Sequence, residues 1–495
     1  MKILHTSDWH LGRTLHDRQR YDEFSQFLQW LVTLIEQNSI DVLLIAGDVF
    51  DTTTPTNKAQ ELYYRFLRQA SEAGCRHLVI IGGNHDSPSF LNAPAALLKS
   101  FNISVLGACT DNIHDEILLL RDVQGQPELL VCAVPFLRDR DVRRVEESES
   151  LEDKENKLTQ GIRAHYNSVA QEALRLIKEQ NLNIPLVGMG HLFTAGGQIQ
   201  EGDGVRELYV GTLAHLSAHN LPDCFDYLAL GHLHSPQSVG NNPFYRYSGA
   251  PLAMSFNEAG QKKSVVLVEF QSPSSVKNSI APQTSTTAYT SFISRVQQSG
   301  VLDTGAESGA HSDNFVYPAG PAREDTGAPA REDMGAHRLP ELVTKDVKSF
   351  SSPGLLAGYA RQIKLIEVPE FIHLYTLRGH ESDILRHLST WVKEQKSGWV
   401  EIILDSGTAT SGFMEALNTC IEGSLLEILR IKSKGFFSLI PGLQKETENL
   451  TDLTLEEMFE RCLLAHKISP PECQELRDLF QEAVKGFESL DQGAF

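Results

Sequence analysis

Five short motifs rich in carboxylate, amide and imidazole groups recur in the first half of the chain: Asp8-Trp9-His10, Gly47-Asp48, Gly83-Asn84-His85-Asp86, Gly190-His191 and Gly231-His232-Leu233-His234. Asp8 and Asp48 offer carboxylates, Asn84 an amide oxygen, and His10, His191, His232 and His234 four imidazoles. This mixed nitrogen and oxygen set suits borderline divalent ions such as manganese, iron or zinc. It is too large for one tetrahedral ion. It fits two ions ~3.5–4 Å apart that share one carboxylate, an arrangement that serves in-line phosphoryl displacement. Residues two apart in an extended segment point to the same side, so Asp8 with His10, and His232 with His234, can enter a site as pairs.

Each motif follows an apolar, β-branched run. Ile3–Thr6, Val42–Ala46, Leu78–Ile81, Leu186–Gly188 and Tyr227–Leu230 read as buried strands, and Tyr245–Ser248 and Val265–Phe270 as later ones. Phe24, Phe27, Leu28, Leu31 and Ile35 recur at helical spacing, as do Leu62, Phe66, Leu67 and Ala70, which predicts two crossover helices. The alternation predicts an α/β domain with a largely parallel sheet over 1–270. Ligands bind at the carboxyl ends of strands in such sheets, so the five motifs should meet in one crevice.

From about 271 to 353 the composition shifts to Ser, Thr, Gly, Ala and Pro, and Pro321–Ala328 is repeated with one change as Pro329–Ala336. A two-copy octamer is too short for a solenoid and reads as a duplication in a disordered insertion. Strand-like Ile363–Val368 and Val400–Leu404 flank a helix-like Asp383–Lys393, which predicts a small α+β domain over 358–434. Over 450–490, Thr454 with Glu457 and Ser469 with Glu472 mark two helix starts. One helix carries Leu455, Met458, Phe459 and Leu463 on a stripe and the other Leu476 and Phe480, more apolar face than two short helices bury against each other.

The 495 residues predict two to four domains. With 44 Lys+Arg against 64 Asp+Glu the net charge is −20, so bulk electrostatics would not hold a polyanion; bound cations, local basic patches or a partner must supply the attraction. Seven scattered cysteines without a C-x-x-C pair predict reduced thiols in a cytoplasmic protein, with neither a disulfide frame nor a structural zinc site. No secretory leader and no apolar run long enough to span a membrane is expected.

The order D-x-H, G-D, G-N-H-D, G-H, G-H-x-H resembles that of the calcineurin-like metallophosphoesterase superfamily. More narrowly, Lys2–Gly12, Ala46–Asp51, Val134–Arg138 and Ala229–His234 look like the SbcD family, nuclease subunits of bacterial SbcCD complexes. The resemblance implies a four-layer α/β/β/α core, a small capping domain and a C-terminal helical hairpin. It also implies two manganese ions, one held by Asp8, His10, Asp48 and His234, the other by Asp48, Asn84, His191 and His232. A hydroxide between the ions would attack the phosphodiester, His85 would assist the leaving oxygen, and Asp86 would orient His85. The implied partners are an SbcC ATPase whose coiled-coil base the C-terminal helices grip, double-stranded and hairpin DNA, and a second nuclease subunit.

Candidate DNA contacts are Arg13 and Arg18 after the first motif, and the run Arg138, Arg140, Arg143, Arg144. The run also reads as a solvated helix start in which Asp139 and Asp141 cancel half the charge. Two other functions compete: an enzyme of this fold acting on a small phosphodiester or nucleotide, and a scaffold that has lost its ions. The complete ligand set tells against the scaffold, and the capping domain and apolar helices tell against the small substrate.

Overall fold

The computed structural model describes residues 1–143, 150–195, 216–217, 221–240, 242–271, 349–353, 359–405 and 409–433, and the helical residues 476, 477 and 480. It divides into two units, Met1–His373 and Leu374–Phe495. Leaving aside single turns and two-residue strands, the first unit contains β1 (Lys2–Thr6), α1 (Tyr21–Asn38), β2 (Val42–Ala46), α2 (Asn57–Glu72), β3 (His77–Ile81), β4 (Ile103–Leu106), β5 (Ile117–Arg121) and β6 (Pro127–Ala133). It continues through α3 (Leu151–Glu179), β7 (Leu186–His191), β8 (Tyr227–Gly231), β9 (Gln237–Val239), β10 (Asn242–Tyr247), β11 (Ser264–Gln271), β12 (Ser349–Pro353) and β13 (Ala360–Glu367).

These strands form two sheets, in the orders β12-β13-β11-β1-β2-β3-β4 and β9-β10-β8-β7-β6-β5. In the first, β1 to β4 are parallel and β11, β12 and β13 are antiparallel; in the second, β6, β7, β8 and β10 are parallel and the edges antiparallel. The period-two alternation of each strand explains the layers. Ile3, Val42, Leu44, Val79 and Ile81 share a core with Leu130, Val187 and Leu228 of the second sheet. Their neighbours Leu4, Leu43, Ile45, Leu78 and Ile80 pack instead on Phe24, Phe27, Leu31, Leu62 and Phe66 of α1 and α2. The second sheet is covered by α3, whose Tyr166 comes so near the backbone that a Cβ at Gly190 would stand 2.2 Å from its hydroxyl.

Three expectations change. The helix α3, started by a capping box of Ser150 and Asp153, was not anticipated from the sequence. Residues 360–367 do not open the second domain: β13 pairs along its whole length with β11, and β12, at the end of the expected insertion, extends the same sheet. The second unit, β14 (Leu374–Gly379), α4 (Glu381–Lys393), β15 (Ser397–Leu404), α5 (Ser411–Ile421) and β16 (Leu425–Ser433), has all its strands parallel, so it is a β-α-β-α-β arrangement and not a segregated α+β one. Its own core joins Leu377, Ile384, Leu388, Val400, Ile402, Phe413 and Leu417. Of the expected hairpin, Leu455, Met458, Phe459 and Leu463 lie outside the described residues, while Leu476 and Phe480 are helical and half-buried.

Candidate metal centre

The first two motifs are locked together by backbone bonds that continue past the strand ends. Asp8 N–H donates to Gly47 O at 3.0 Å and His10 N–H to Asp48 O at 3.0 Å. Between Asp8 and His10, Trp9 points the other way; it is wholly buried, edge-on to Phe27 and Phe66, with its indole N–H on Thr6 Oγ1 at 2.9 Å. Burying that ring against α1 and α2 obliges its neighbours to face the crevice. Asp8, His10, Asp48 and His232 all have positive φ, a conformation that costs non-glycine residues energy and that tends to persist at functional sites. Gly83 is required by close approach, since a Cβ there would fall 2.1 Å from Asp48 Oδ1.

The five strand ends bring all seven expected ligands into one buried cluster. One group joins Asp8, His10 and His234; another joins Asp48, His191 and His232. Asn84 Oδ1 lies 3.0 Å from both His191 Nε2 and His232 Nδ1. Asp48 Oδ2 lies 3.3 Å from His191 Nε2 and 3.6 Å from His10 Nε2, so this carboxylate stands between the groups. His191 Nδ1–H donates to Ala46 O at 2.9 Å, which leaves Nε2 as the lone-pair donor. His232 Nε2 and His234 Nδ1 are buried without a hydrogen-bond partner.

Without cations these groups compete for protons. Burial pushes the Asp8 carboxyl up to about 6, against the pull of His191. Burial pushes Asp48 up as well, but His191 and then His10 outweigh it and hold the carboxyl well below its usual range. Burial depresses His191, yet Asp48 lifts it to about 9. His232 is pushed down to about 3 by burial and by the charge on His191. Protons on imidazoles thus neutralise carboxylates that have almost no water. Two carboxylates, an amide oxygen and unpartnered imidazole nitrogens at this spacing fit a pair of divalent cations.

His85 lies at the edge of the cluster, where with His10 and Asp51 it makes a third group of possible metal ligands. It is half-exposed, its ring packs edge-on to His10 at 4.8 Å, and its Nδ1–H donates to Asp51 O at 2.9 Å. Asp86 does not orient it: the Asp86 carboxylate accepts the backbone N–H groups of Val49, Phe50 and Gly83 at 2.9–3.1 Å. That carboxylate ties the second motif to the third.

Asp51, to which the sequence alone assigns no role, lies 3.3 Å from His10 Nδ1 and accepts from Arg13 at 3.1 Å. Its burial would raise the carboxyl, but His10 and Arg13 hold it below the usual range. The buried Lys263 is likewise invisible in the sequence. It bridges Glu258 and the carbonyl of His234, and nothing in its sequence neighbourhood signals this.

The arginines divide. Arg13 is half-buried on Asp51, and Arg138 lies over Phe136 with a bond to Asp86 O. Arg18 and Arg140 are exposed. The Arg143 side chain is buried and paired with Asp139, so it does not present its charge to solvent, and Arg144 lies outside the described residues.

The calcineurin-like phosphoesterase family matches residues 1–236, and the type 5 capsule protein repressor C-terminal domain matches residues 370–467. The chain is similar to the SbcD subunit of the nuclease SbcCD from Escherichia coli K12, 38% identical over 286 residues, which is 57% of this chain and 69% of that protein. The Bacillus subtilis 168 protein of the same name is 37% identical over 274 residues, 54% of this chain and 66% of its own length. A phosphoesterase match over the strand-end ligands and a relative at this identity over more than two thirds of its length lead to one conclusion: the chain belongs to the SbcD family of SbcCD nuclease subunits, phosphodiester-hydrolysing metalloenzymes of the calcineurin-like fold.

Proposed function

We propose that the chain is a two-metal DNA phosphodiesterase, a double-strand exonuclease and single-strand and hairpin endonuclease, working beside an SbcC-type ATPase in DNA repair, recombination and replication. The observation that carries this reading is the convergence of Asp8, His10, Asp48, His191, His232 and His234 with Asn84 at five strand ends, beside the half-exposed His85, which lies within reach of His10 and Asp51. When bound, two divalent ions, manganese by this reading, supply Lewis-acid charge at the phosphoryl oxygens and activate water.

Asp8, His10 and His234 would hold one ion, Asn84, His191 and His232 the other, with Asp48 shared. Asp51 fixes His10, and the Ala46 carbonyl fixes His191, so that each aims one lone pair into the crevice. Because His85 Nδ1–H is tied to the Asp51 carbonyl, Nε2 is the ring nitrogen left to meet the substrate. When both ring nitrogens are protonated, Nε2–H can be given to the leaving oxygen. Asp86 acts as a positioning residue through the backbone it binds.

Arg13 and Arg138 flank the crevice and are the arginines best placed for DNA, with Arg18 and Arg140 further candidates. The apolar stripes of Leu455, Met458, Phe459 and Leu463, and of Leu476 and Phe480, would grip the ATPase, and the nuclease subunit would pair with a second copy. Reduced cysteines support a cytoplasmic location, and among the described residues no helix is long and apolar enough to cross a membrane.

The test is cleavage of blunt duplex and hairpin DNA with manganese or magnesium, with and without the ATPase partner. Metal-dependent cleavage that the ATPase and ATP stimulate is expected. Cleavage of a small chromogenic phosphodiester alone, under every condition, would favour the small-substrate reading.

A further inference from the structure

Among the described residues, one further group with metal-binding chemistry shares nothing with the strand-end ligands: Cys109, Glu116 and His165. Cys109 follows β4, Glu116 ends the single turn Ile113–Glu116 that leads into β5, and His165 sits midway along α3. His165 Nε2 lies 2.8 Å from Glu116 Oε2, and the Cys109 sulfur lies 4.0 Å from the imidazole nitrogens. Glu116 is completely buried, and its Oε1 has no hydrogen-bond partner. A buried carboxylate oxygen without a hydrogen-bond partner, whose nearest functional groups are a thiol and an imidazole, is one that a cation could satisfy.

We propose that Cys109, Glu116 and His165 bind a zinc(II) ion that pins together the end of β4, the start of β5 and helix α3. Tetrahedral zinc, with bonds of about 2.0–2.3 Å, sets its ligands ~3.3–3.8 Å apart. The carboxylate–imidazole contact must therefore open by about half an ångström, and the thiol must close by less. A thiolate and a carboxylate neutralise a divalent charge, and neutral His165 completes a sulfur, oxygen and nitrogen set. The sulfur selects a softer ion than the nitrogen and oxygen donors of the strand-end centre. Cys109 is half-buried and the His165 side chain is 15% exposed, which leaves room for water as fourth ligand. In the metal-free chain, burial and the Glu116 carboxylate push the Cys109 thiol up to about 12, so zinc must displace that proton to solvent. Because the ligands come from three distant elements, no cysteine spacing announces the site.

Cobalt(II) tests the proposal on the full chain, since a thiolate-to-cobalt charge-transfer band needs a sulfur ligand and the strand-end centre has none. With the strand-end centre already filled with manganese, the near-ultraviolet band should saturate at one further equivalent of cobalt, be lost when zinc displaces it, and be absent from Cys109→Ser and from His165→Gln. Both variants should keep their fold by circular dichroism and their manganese-dependent phosphodiesterase activity. The proposal is overturned if cobalt added to the manganese-filled chain produces no band, or if the band survives Cys109→Ser.

Discussion

The two units use the same device, parallel strands joined by helices, to opposite ends. In the first, Asp8, His10, Asp48, His191, His232 and His234 stand at strand ends, each no more than 5% exposed, and their charges are balanced largely by one another's protons, with Asp51 beside His10. Among the described residues of the second, the buried charge is Glu401 in mid-strand β15, and the protein neutralises it with Lys432 Nζ at 2.8 Å from the neighbouring strand. The local architecture is shared, so the fold does not create the site. What creates it is buried charge that the chain leaves for an outside cation to satisfy.

The contrast can be broken at four points. Asp48→Ala removes the carboxylate that both ligand groups approach; manganese content by mass spectrometry should fall for both ions and cleavage should drop to background. Asp51→Ala removes the partner of His10 without removing a ligand. Manganese affinity or cleavage should fall ~10–100-fold, the usual cost of losing such an orienting contact, and an unchanged titration would show that His10 needs no support.

Manganese affinity should also depend on pH in one direction. His191, lifted to about 9, carries a proton that a cation must displace, so affinity should weaken as pH falls below 9. The slope is about tenfold per pH unit for each proton released. Binding that is flat between pH 6.5 and 8.5 would contradict the proton competition. The smallest effect belongs to the second unit. Glu401→Gln leaves Lys432 and Arg430 35% and 45% exposed, so their charges stay hydrated. Stability by urea denaturation should change by about 1 kcal/mol, with metal content and cleavage untouched.

Most of the strand-end cluster was legible because strand-end motifs combine a strong hydrophobic signal with rare polar types. Asp8, Asp48, Asn84 and the four histidines each follow an apolar run, and open sheets converge at that end. Asp51 was not legible, since its role depends on the loop after β2 folding back beneath His10. The orienting role that the resemblance implied for Asp86 is not a direct bond to His85, since a buried carboxylate beside three free backbone N–H groups binds those instead. The α/β class followed from alternation. Two β layers were implied by the family resemblance and not by alternation, because β5 and β6 carry ordinary apolar runs that period alone does not assign to a layer. Ala360–Glu367 failed for the same reason: its alternation marks a strand, but its partner β11 lies across a long stretch of chain.

On the proposed reading, seven residues hold metal while His85, beside the ligand Asn84, serves the leaving group. Metal content and cleavage rate measured together on His85→Gln test that division of roles most directly. Two manganese ions per chain are expected, as in the unaltered protein, with cleavage slowed ~10²–10⁴-fold. A variant that has lost an ion would make His85 a ligand, and one that cleaves at the normal rate would show that His85 gives no proton to the leaving oxygen.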